Sequence, residues 1–174
     1  MDVSNTVERS GLMKKKITKY IYLLLVVFVV IIGIRALWLH SNYAIPNQDY
    51  FGKQYYEIFY ITGISDRLTA NQVIKEVEKA FSFVGTESEA EEKFWKLSNY
   101  CVIKTTDEEL KVENDIKLIS ANFSGDKGYL WFAYSQEVRN DSGELKSGSS
   151  NILARATLEK VNDKWVFTDY LEHP

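Results

Sequence analysis

The chain has 174 residues, a formal net charge of −3 at neutral pH, one cysteine and two histidines. One cysteine cannot form an internal disulfide, and neither His40 nor His173 has a second histidine or cysteine at metal-ligand spacing. Residues 41–174 carry 22 acidic and 15 basic side chains, a balance that disfavours binding to nucleic acid. Composition therefore predicts no metal, no cofactor and a fold held together by packing alone.

An apolar stretch at residues 20–39 (YIYLLLVVFVVIIGIRALWL) is the dominant feature of the sequence. Residues 21–34 contain no charged side chain. A helix needs roughly 20 such residues, at about 1.5 Å of rise each, to cross the hydrocarbon core of a bilayer. The stretch therefore predicts a transmembrane helix in contact with membrane lipid. The predicted divisions of the chain are a basic tail at 1–19, the span at 20–39, a linker at 40–49 and a domain at 50–174.

The charges beside the apolar stretch predict its orientation. The tail carries five Lys or Arg against two acidic residues, and translocation machinery retains such basic clusters in the cytoplasm. We therefore expect a single-pass protein of the cell membrane with a cytoplasmic N-terminus and an extracytoplasmic C-terminal domain. A cleaved signal peptide is the alternative, since it shares the basic and apolar regions. The following residues 35–41 (RALWLHS) are bulky where cleavage prefers small side chains, which favours a retained anchor.

Residues 50–62 (YFGKQYYEIFYIT) carry two conflicting signals. Their aromatic and β-branched content is typical of a strand. Their length and the glycine that follows, Gly63, are typical of a helix. We favour the helix.

Residues 69–84 have the periodicity of an amphipathic helix. Thr69 and Gln72 have the spacing of a capping box, and Gly85 is expected to end the helix. The predicted buried face consists of Val73, Ile74, Val77, Ala80, Phe81 and Val84.

A second helix is predicted from residue 87 to about residue 100. Thr86 and Glu89 form another capping box, and the acidic first turn suits the helix dipole. The predicted buried face consists of Ala90, Phe94, Leu97 and Cys101. Cys101 is therefore expected to be a small buried side chain and not a reactive thiol.

From residue 113 the pattern changes from helical to alternating, and turn signals follow at the spacing of an antiparallel meander. A switch of faces between Leu118 and Ile119 predicts a bulge in the first strand. The connections are a turn at 124–128, a long polar contact loop at 140–150, and a tight hairpin at Asn162 and Asp163. The four predicted strands are 116–123, 129–139, 152–159 and 165–171.

The predicted fold class is α+β: an N-terminal transmembrane helix followed by a cone of two or three helices packed on a four-stranded antiparallel sheet. The element order, with the ending KVNDKWVFTDYLEHP, resembles the nuclear-transport-factor-2-like and cystatin-like superfamily. The resemblance covers roughly residues 50–174. It implies three kinds of function: small-molecule enzymes such as ketosteroid isomerase, noncatalytic ligand binders, and assembly subunits of conjugative secretion channels.

One constellation fits an isomerase-like enzyme. Asp169, placed in the cone with Tyr129 and Tyr134, would be a carboxylate whose pKa is raised by apolar surroundings, as a general base requires. The alternative, which we favour, puts Asp169 on the solvent face or at a neighbouring strand and the tyrosines in the core. The candidate ligand or partner surface is Tyr129, Trp131, Tyr134, Trp165 and Asp169. An interior plugged by Trp131 and Trp165 would disfavour both a ligand and an enzyme.

The expected function is a noncatalytic, membrane-anchored binding or assembly domain with a protein partner in the envelope. Its most concrete form is part of an envelope or conjugative secretion complex. The first alternative is an envelope immunity or stress protein that binds a toxin or cell-wall factor. The second is a small cone-fold enzyme of isomerase type.

Overall fold

The computed structural model describes residues 3–43, 51–104 and 109–173, with side chains described from residue 16 to residue 172. The chain divides into two compact units at Ser41 and Asn42. The first unit is one long helix, α1 (Val3–Asn42), and its segment Lys16–Asn42 is long and apolar enough to cross a membrane. The prediction of a helix with the length and composition of a span is therefore confirmed, and the helix also continues through most of the basic tail.

The second unit begins with a short 3-10 helix, η1 (Gly52–Phe59). This agrees with the helical interpretation of residues 50–62, but the helix ends before the predicted stop because the backbone becomes extended at Tyr60. Most of the predicted linker, residues 44–50, lies outside the described residues.

The next helix, α2 (Ile64–Phe81), begins five residues before the predicted start. The predicted capping box at Thr69 is wrong, because the Thr69 hydroxyl lies within the helix and donates to the Ser65 carbonyl at 3.3 Å. The helix also ends before its predicted stop at Gly85. Most of the predicted apolar face is buried, namely Val73, Ile74, Val77, Ala80 and Phe81.

The second predicted capping box is confirmed at the start of helix α3 (Glu87–Phe94). The Glu89 amide donates to the Thr86 hydroxyl at 3.3 Å, and the Thr86 amide donates to the Glu89 carboxylate at 2.9 Å. The α-helix stops six residues early, however. From Trp95 the chain continues as a second 3-10 helix, η2 (Trp95–Tyr100).

Two short strands escaped prediction. Strand β1 (Val84–Gly85) pairs in parallel with β2 (Val102–Ile103). Gly85 therefore belongs to a strand and does not terminate a helix. Strands of two residues are too short to show any periodicity in the sequence.

A four-stranded antiparallel meander completes the domain, and the α+β class is as predicted. The bulge is confirmed, since Leu118 pairs with Phe132 but Ser120 pairs with Trp131. The hairpin is also confirmed, with positive φ at Asn162 (50°) and Asp163 (62°). The strands are β3 (Leu110–Ser124), β4 (Lys127–Asn140), β5 (Leu145–Val161) and β6 (Lys164–His173), in that order across the sheet.

The predicted long loop at 140–150 is wrong. The turn covers only residues 141–144, and β5 pairs with β4 from Leu145 onward. Residues 145–150 (LKSGSS) are all exposed, and all but Leu145 are polar or glycine. They form a strand because backbone pairing with β4 does not require apolar side chains.

The two faces of the sheet are both covered. On one face, which we call the helix face, Leu130, Phe132 and Tyr134 join the buried residues of α2 in the main core. On the opposite face, which we call the η1 face, Trp131 packs edge-on against Phe51, with ring centroids 4.7 Å apart. The central strand β4 is therefore apolar on both sides, as its sequence predicted.

The segment that runs from η1 into α2 bonds to the edge strand β3 at three points. The Ser120 hydroxyl donates to the Glu57 carbonyl at 2.8 Å. The Ala121 amide donates to the Thr62 hydroxyl at 2.9 Å, and the Phe123 amide donates to the Asp66 carboxylate at 3.3 Å. These bonds satisfy strand donors that would otherwise face solvent, and they hold the segment in one place.

A buried ion pair fastens η1 to the sheet. Arg155, only 5% exposed, donates through Nε and Nη2 to the two carboxylate oxygens of Glu57, at 2.6 and 3.1 Å. The Trp131 indole donates to the same carboxylate at 3.2 Å, and Arg155 Nη1 donates to the Thr157 hydroxyl at 2.6 Å. The guanidinium also lies 5.4 Å from the centroid of the Tyr129 ring. The charges are thus matched and hydrogen-bonded, as burial requires.

Candidate functional site

The helix-face interior contains a close-packed group of aromatic rings. Phe81 stacks on Tyr100 with centroids 5.1 Å apart and meets Tyr134 edge-on at 4.7 Å. Tyr170 lies 4.3 Å from Tyr100 and 5.9 Å from Phe132. These rings belong to the core between α2, η2 and the sheet or pack against it.

The hydroxyls of Tyr134 and Tyr170 remain protonated at neutral pH. Burial raises the pKa of Tyr170 well above its usual range, and the nearby hydroxyls of Tyr100 and Tyr134 add to the effect. Burial also raises the pKa of Tyr134, whose hydroxyl donates to the Glu172 carboxylate at 2.8 Å. Because both groups are neutral, Tyr134 acts as a packing residue and a hydrogen-bond donor, Tyr170 acts as a packing residue, and neither acts as a base.

The structure separates the three residues of the isomerase-like constellation. Tyr129 and Asp169 lie on the η1 face, one on each side of Thr157. Tyr134 lies on the helix face, against Phe81. Asp169 is exposed, and its carboxylate accepts a hydrogen bond from the Tyr170 amide at 2.9 Å. The exposed carboxylate of Asp169 therefore lacks the apolar surroundings that the predicted constellation gave it.

A surface groove lies on the helix face, between α2, the α3–η2 junction and the first half of β6. It has two connected parts, of about 470 and 190 Å³, which share Glu76, Trp165 and Phe167. The remaining lining residues are Gln72, Val73, Lys93, Phe94, Trp95, Lys96, Leu97, Asp163, Lys164 and Val166. The larger part falls within the size range of ordinary binding sites.

Trp95 is the most unusual residue of the groove. Its side chain is 60% exposed, although tryptophan is normally well buried. Its backbone has φ 43° and ψ −105°, a conformation that a bulky side chain rarely adopts and that costs of the order of 1–3 kcal/mol. Strained conformations of this kind concentrate at functional sites. The α-helix ends at this residue, and Trp95 lines the smaller part of the groove.

The two acidic residues of the groove already have partners. The Glu76 carboxylate lies 2.7 Å from Lys79 Nζ, and the Asp163 carboxylate lies 3.1 Å from Lys160 Nζ. Neither lysine partner lines the groove. The negative charges of Glu76 and Asp163 are therefore paired with lysines that lie outside the groove.

The three lysines that line the groove form no salt bridge among the residues that the structure describes. Lys93 Nζ lies 4.9 Å from the Phe83 ring centroid, and Lys96 Nζ lies 5.4 Å from the Trp95 ring centroid. Lys164 lines the far end, beside the hairpin turn. The groove thus has aromatic walls and a positive rim, although residues 41–174 as a whole are acidic.

Of the five residues predicted as a ligand or partner surface, only Trp165 lines this groove. Trp131 is buried beneath η1, and Tyr134 is buried in the aromatic group. The other two, Tyr129 and Asp169, belong to the η1 face. The five side chains therefore do not form one surface.

Sequence reasoning missed Trp95, although a signal was present. In the predicted helix from residue 87 to about 100, the apolar face passes through Phe94 and Leu97 and leaves Trp95 among charged residues. A tryptophan on the polar side of an amphipathic helix is a reason to expect a contact surface. Its neighbours across the groove, Trp165 and Phe167, are 70 residues away or more and gave no comparable signal.

No protein-family model matches the chain, and no curated protein matches it. The resemblance to the nuclear-transport-factor-2-like superfamily therefore stays a prediction from element order and the final hairpin. Within the described residues, no group of three or more histidine, cysteine, aspartate or glutamate side chains could hold a metal ion.

Proposed function

We propose that this chain is a noncatalytic, single-pass membrane protein whose C-terminal domain lies outside the cytoplasm and holds a protein partner in the groove. The observation that carries the proposal is the aromatic groove around the strained, exposed Trp95, with three lysines on its rim. Helix α1 supplies the anchor, and the basic tail favours a cytoplasmic N-terminus. Assembly of an envelope or conjugative secretion complex is the most concrete form of this function.

The partner that fits is an extended, acidic protein segment. The groove runs beside β6, which is the outer strand of the four-stranded sheet. An added strand would use main-chain hydrogen bonds to that edge and place alternate side chains in the groove. The positive rim favours acidic side chains in the segment, and the walls of Trp95 and Trp165 favour an aromatic or aliphatic anchor between them.

Site-specific photocrosslinking in the native membrane tests this function. The photoreactive amino acid p-benzoylphenylalanine would replace Trp95 or Lys164 in the full chain, and Leu145, which is exposed on β5 away from the groove, would be the control position. We expect one partner protein to be crosslinked from both groove positions and not from position 145. Equal capture at all three positions, or no capture in the groove, would refute the proposed site.

Charge reversal separates specific capture from chance proximity. Lys96→Glu combined with Lys164→Glu should abolish the crosslink at position 95, because it replaces the attractive rim with a repulsive one. The matched control is Lys111→Glu, an exposed lysine on the opposite edge strand β3. Capture that survives the double reversal would exclude an acidic segment as the occupant.

Protease accessibility tests the orientation. Protease added to cells with an intact inner membrane should digest residues 42–174 and leave the tail protected. Protection of the C-terminal domain until the membrane is lysed would overturn the proposed topology.

The identity of the crosslinked protein decides between assembly of a secretion complex and the alternative, capture of a toxin or cell-wall factor by an immunity or stress protein.

A further inference from the structure

A second apolar surface lies where η1 passes into α2, and its last member, Leu68, is one helical turn before the groove residue Gln72. Five large side chains on it are exposed. Ile64 is 85% exposed and Leu68 is 63% exposed, far above the value for a packed helix residue. We call this surface the apolar patch, and its members are Tyr56, Tyr60, Ile61, Ile64 and Leu68.

Packing of α2 in the domain core does not account for Ile64 and Leu68. The buried face of α2 begins only at Ala70, so the first six residues of the helix, Ile64 and Leu68 among them, contribute no buried apolar side chain to the core. Ile64 and Leu68 are four positions apart and therefore neighbours on one side of the helix. Contiguous exposed apolar residues of this kind mark contacts with a protein or a membrane.

The patch is held in a fixed position. Its central segment is tied to β3 by the hydrogen bonds from the Ala121 amide to Thr62 and from the Phe123 amide to Asp66. Tyr56 also meets the ring of Tyr55 edge-on, with centroids 5.5 Å apart. The apolar side chains are thus presented to the outside by a folded framework, and docking would not have to order a loose segment.

We propose that the apolar patch docks on the lipid surface of the membrane that anchors α1. This inference rests on the proposed anchoring. Ten residue steps join Asn42, the last residue of α1, to Gly52, and at about 3.5 Å per step this stretch of chain spans at most roughly 35 Å. A tether of this length keeps the patch at a high effective concentration near the bilayer.

The chemistry of the patch suits a membrane interface. Tyrosine side chains favour the level of the lipid headgroups, with the ring in the apolar region and the hydroxyl in water. Isoleucine and leucine side chains enter the acyl boundary. Two exposed cations would be attracted to anionic headgroups: Lys53, which precedes the patch in sequence, and Arg67, which stands between Ile64 and Leu68.

Depth-dependent fluorescence quenching of the full chain in lipid vesicles tests this inference. An environment-sensitive fluorophore would be attached to Ile64→Cys, Leu68→Cys, Leu145→Cys or Ile31→Cys. The native Cys101 is buried, and burial raises its thiol pKa to about 11, so the introduced cysteine is the one that reacts. The vesicles would contain phospholipid brominated in the acyl chains, compared with unbrominated lipid.

We expect the label at positions 64 and 68 to shift to the blue and to lose emission in brominated vesicles, whereas the label at 145 loses none. Position 31, within α1, reports the anchor. Quenching at 31 with none at 64 or 68 would overturn lipid docking and leave the anchor intact. Absence of quenching at 31 would overturn the anchor itself.

A blue shift at position 64 that is not quenched by brominated lipid, and that grows with protein concentration, would assign the patch to a second copy of the chain and overturn lipid docking. Ile61→Ser combined with Leu68→Ser supplies the matched disruption. Both side chains are exposed, so the domain should stay folded while the quenching at position 64 is lost.

Discussion

Removal of the charge of Glu57 is the sharpest test of how the domain is held together. In Glu57→Gln, the shape of the side chain is preserved, but Arg155 loses the carboxylate that accepts two of its hydrogen bonds. The guanidinium is 5% exposed and cannot recover water without movement of η1. We therefore expect η1 to separate from the sheet more easily in this variant.

The structure sets the magnitude of the effect. Replacing one partner of a buried ion pair lowers the free energy of unfolding by about 3–5 kcal/mol, because the remaining charge is buried without a partner. The Glu57 side chain is 25% exposed, which places the expected cost at the lower end, about 3 kcal/mol. That is a large share of the roughly 5–15 kcal/mol by which domains are stable.

This cost can be measured by urea unfolding of the full chain in detergent micelles. Tryptophan fluorescence follows the unfolding, and Trp131, which bonds to the Glu57 carboxylate, contributes to the signal. Glu57→Gln, Arg155→Met and the double variant together form a mutant cycle. We expect the double variant to lose much less stability than the sum of the two single variants, because neither charge then remains unpaired.

The matched control is the exposed pair of Glu76 and Lys79, whose side chains are 57% and 62% exposed. Glu76→Gln should change the free energy of unfolding by less than about 1 kcal/mol, as for other surface pairs. If Glu57→Gln stays within 0.5 kcal/mol of wild type, as an ordinary surface substitution does, the description of this pair as buried and structural is refuted.

Three further predictions follow from local features. Thr86→Ala should lower the free energy of unfolding by about 1 kcal/mol through loss of the α3 cap, whereas Thr86→Ser should retain it. Burial is the main reason that the pKa of Tyr129 is raised to about 12. The neutral phenol therefore stabilises the fold fully below pH 10, and this stabilisation is lost progressively up to about pH 12. In Tyr129→Phe, the free energy of unfolding should fall less steeply between pH 10 and pH 12. Cys101, with a thiol pKa near 11, should resist alkylation at pH 8 in the folded protein and react promptly in urea; equal rates would contradict its burial.

Local signals predicted the features that depend on neighbours in sequence. The capping box at Thr86 and Glu89 closes over four residues, and the hairpin at Asn162 and Asp163 needs only side chains that tolerate positive φ. The same kind of signal failed at Thr69, because six more residues were added in front of it, from Gly63 onward, that are tied to β3 through Asp66. A capping pattern identifies a residue at which a helix can begin, but tertiary contacts of the preceding residues decide whether the helix begins there.

The groove depended on contacts that no local pattern carries. Lys93, Phe94 and Trp95 meet Trp165 and Phe167 only because η2 packs beside β6. The strand residues 145–150, of which only Leu145 is apolar, gave no apolar alternation, and only pairing with β4 revealed them as part of β5. The sequence analysis named Trp165 as one of five surface candidates, but only the tertiary structure showed which residues lie beside it.

The sequence by itself determined that the chain contains a helix of spanning length, that the rest is α+β, and that the sheet ends in a tight hairpin. These properties follow from local composition and period, which act over a few residues at a time. Only the tertiary structure decided that Arg155 meets Glu57 across 98 positions, that the aromatic interior is filled, and that Trp95 stands open beside β6. Those outcomes depend on which distant segments pack together, and a linear pattern does not encode that choice in any one place.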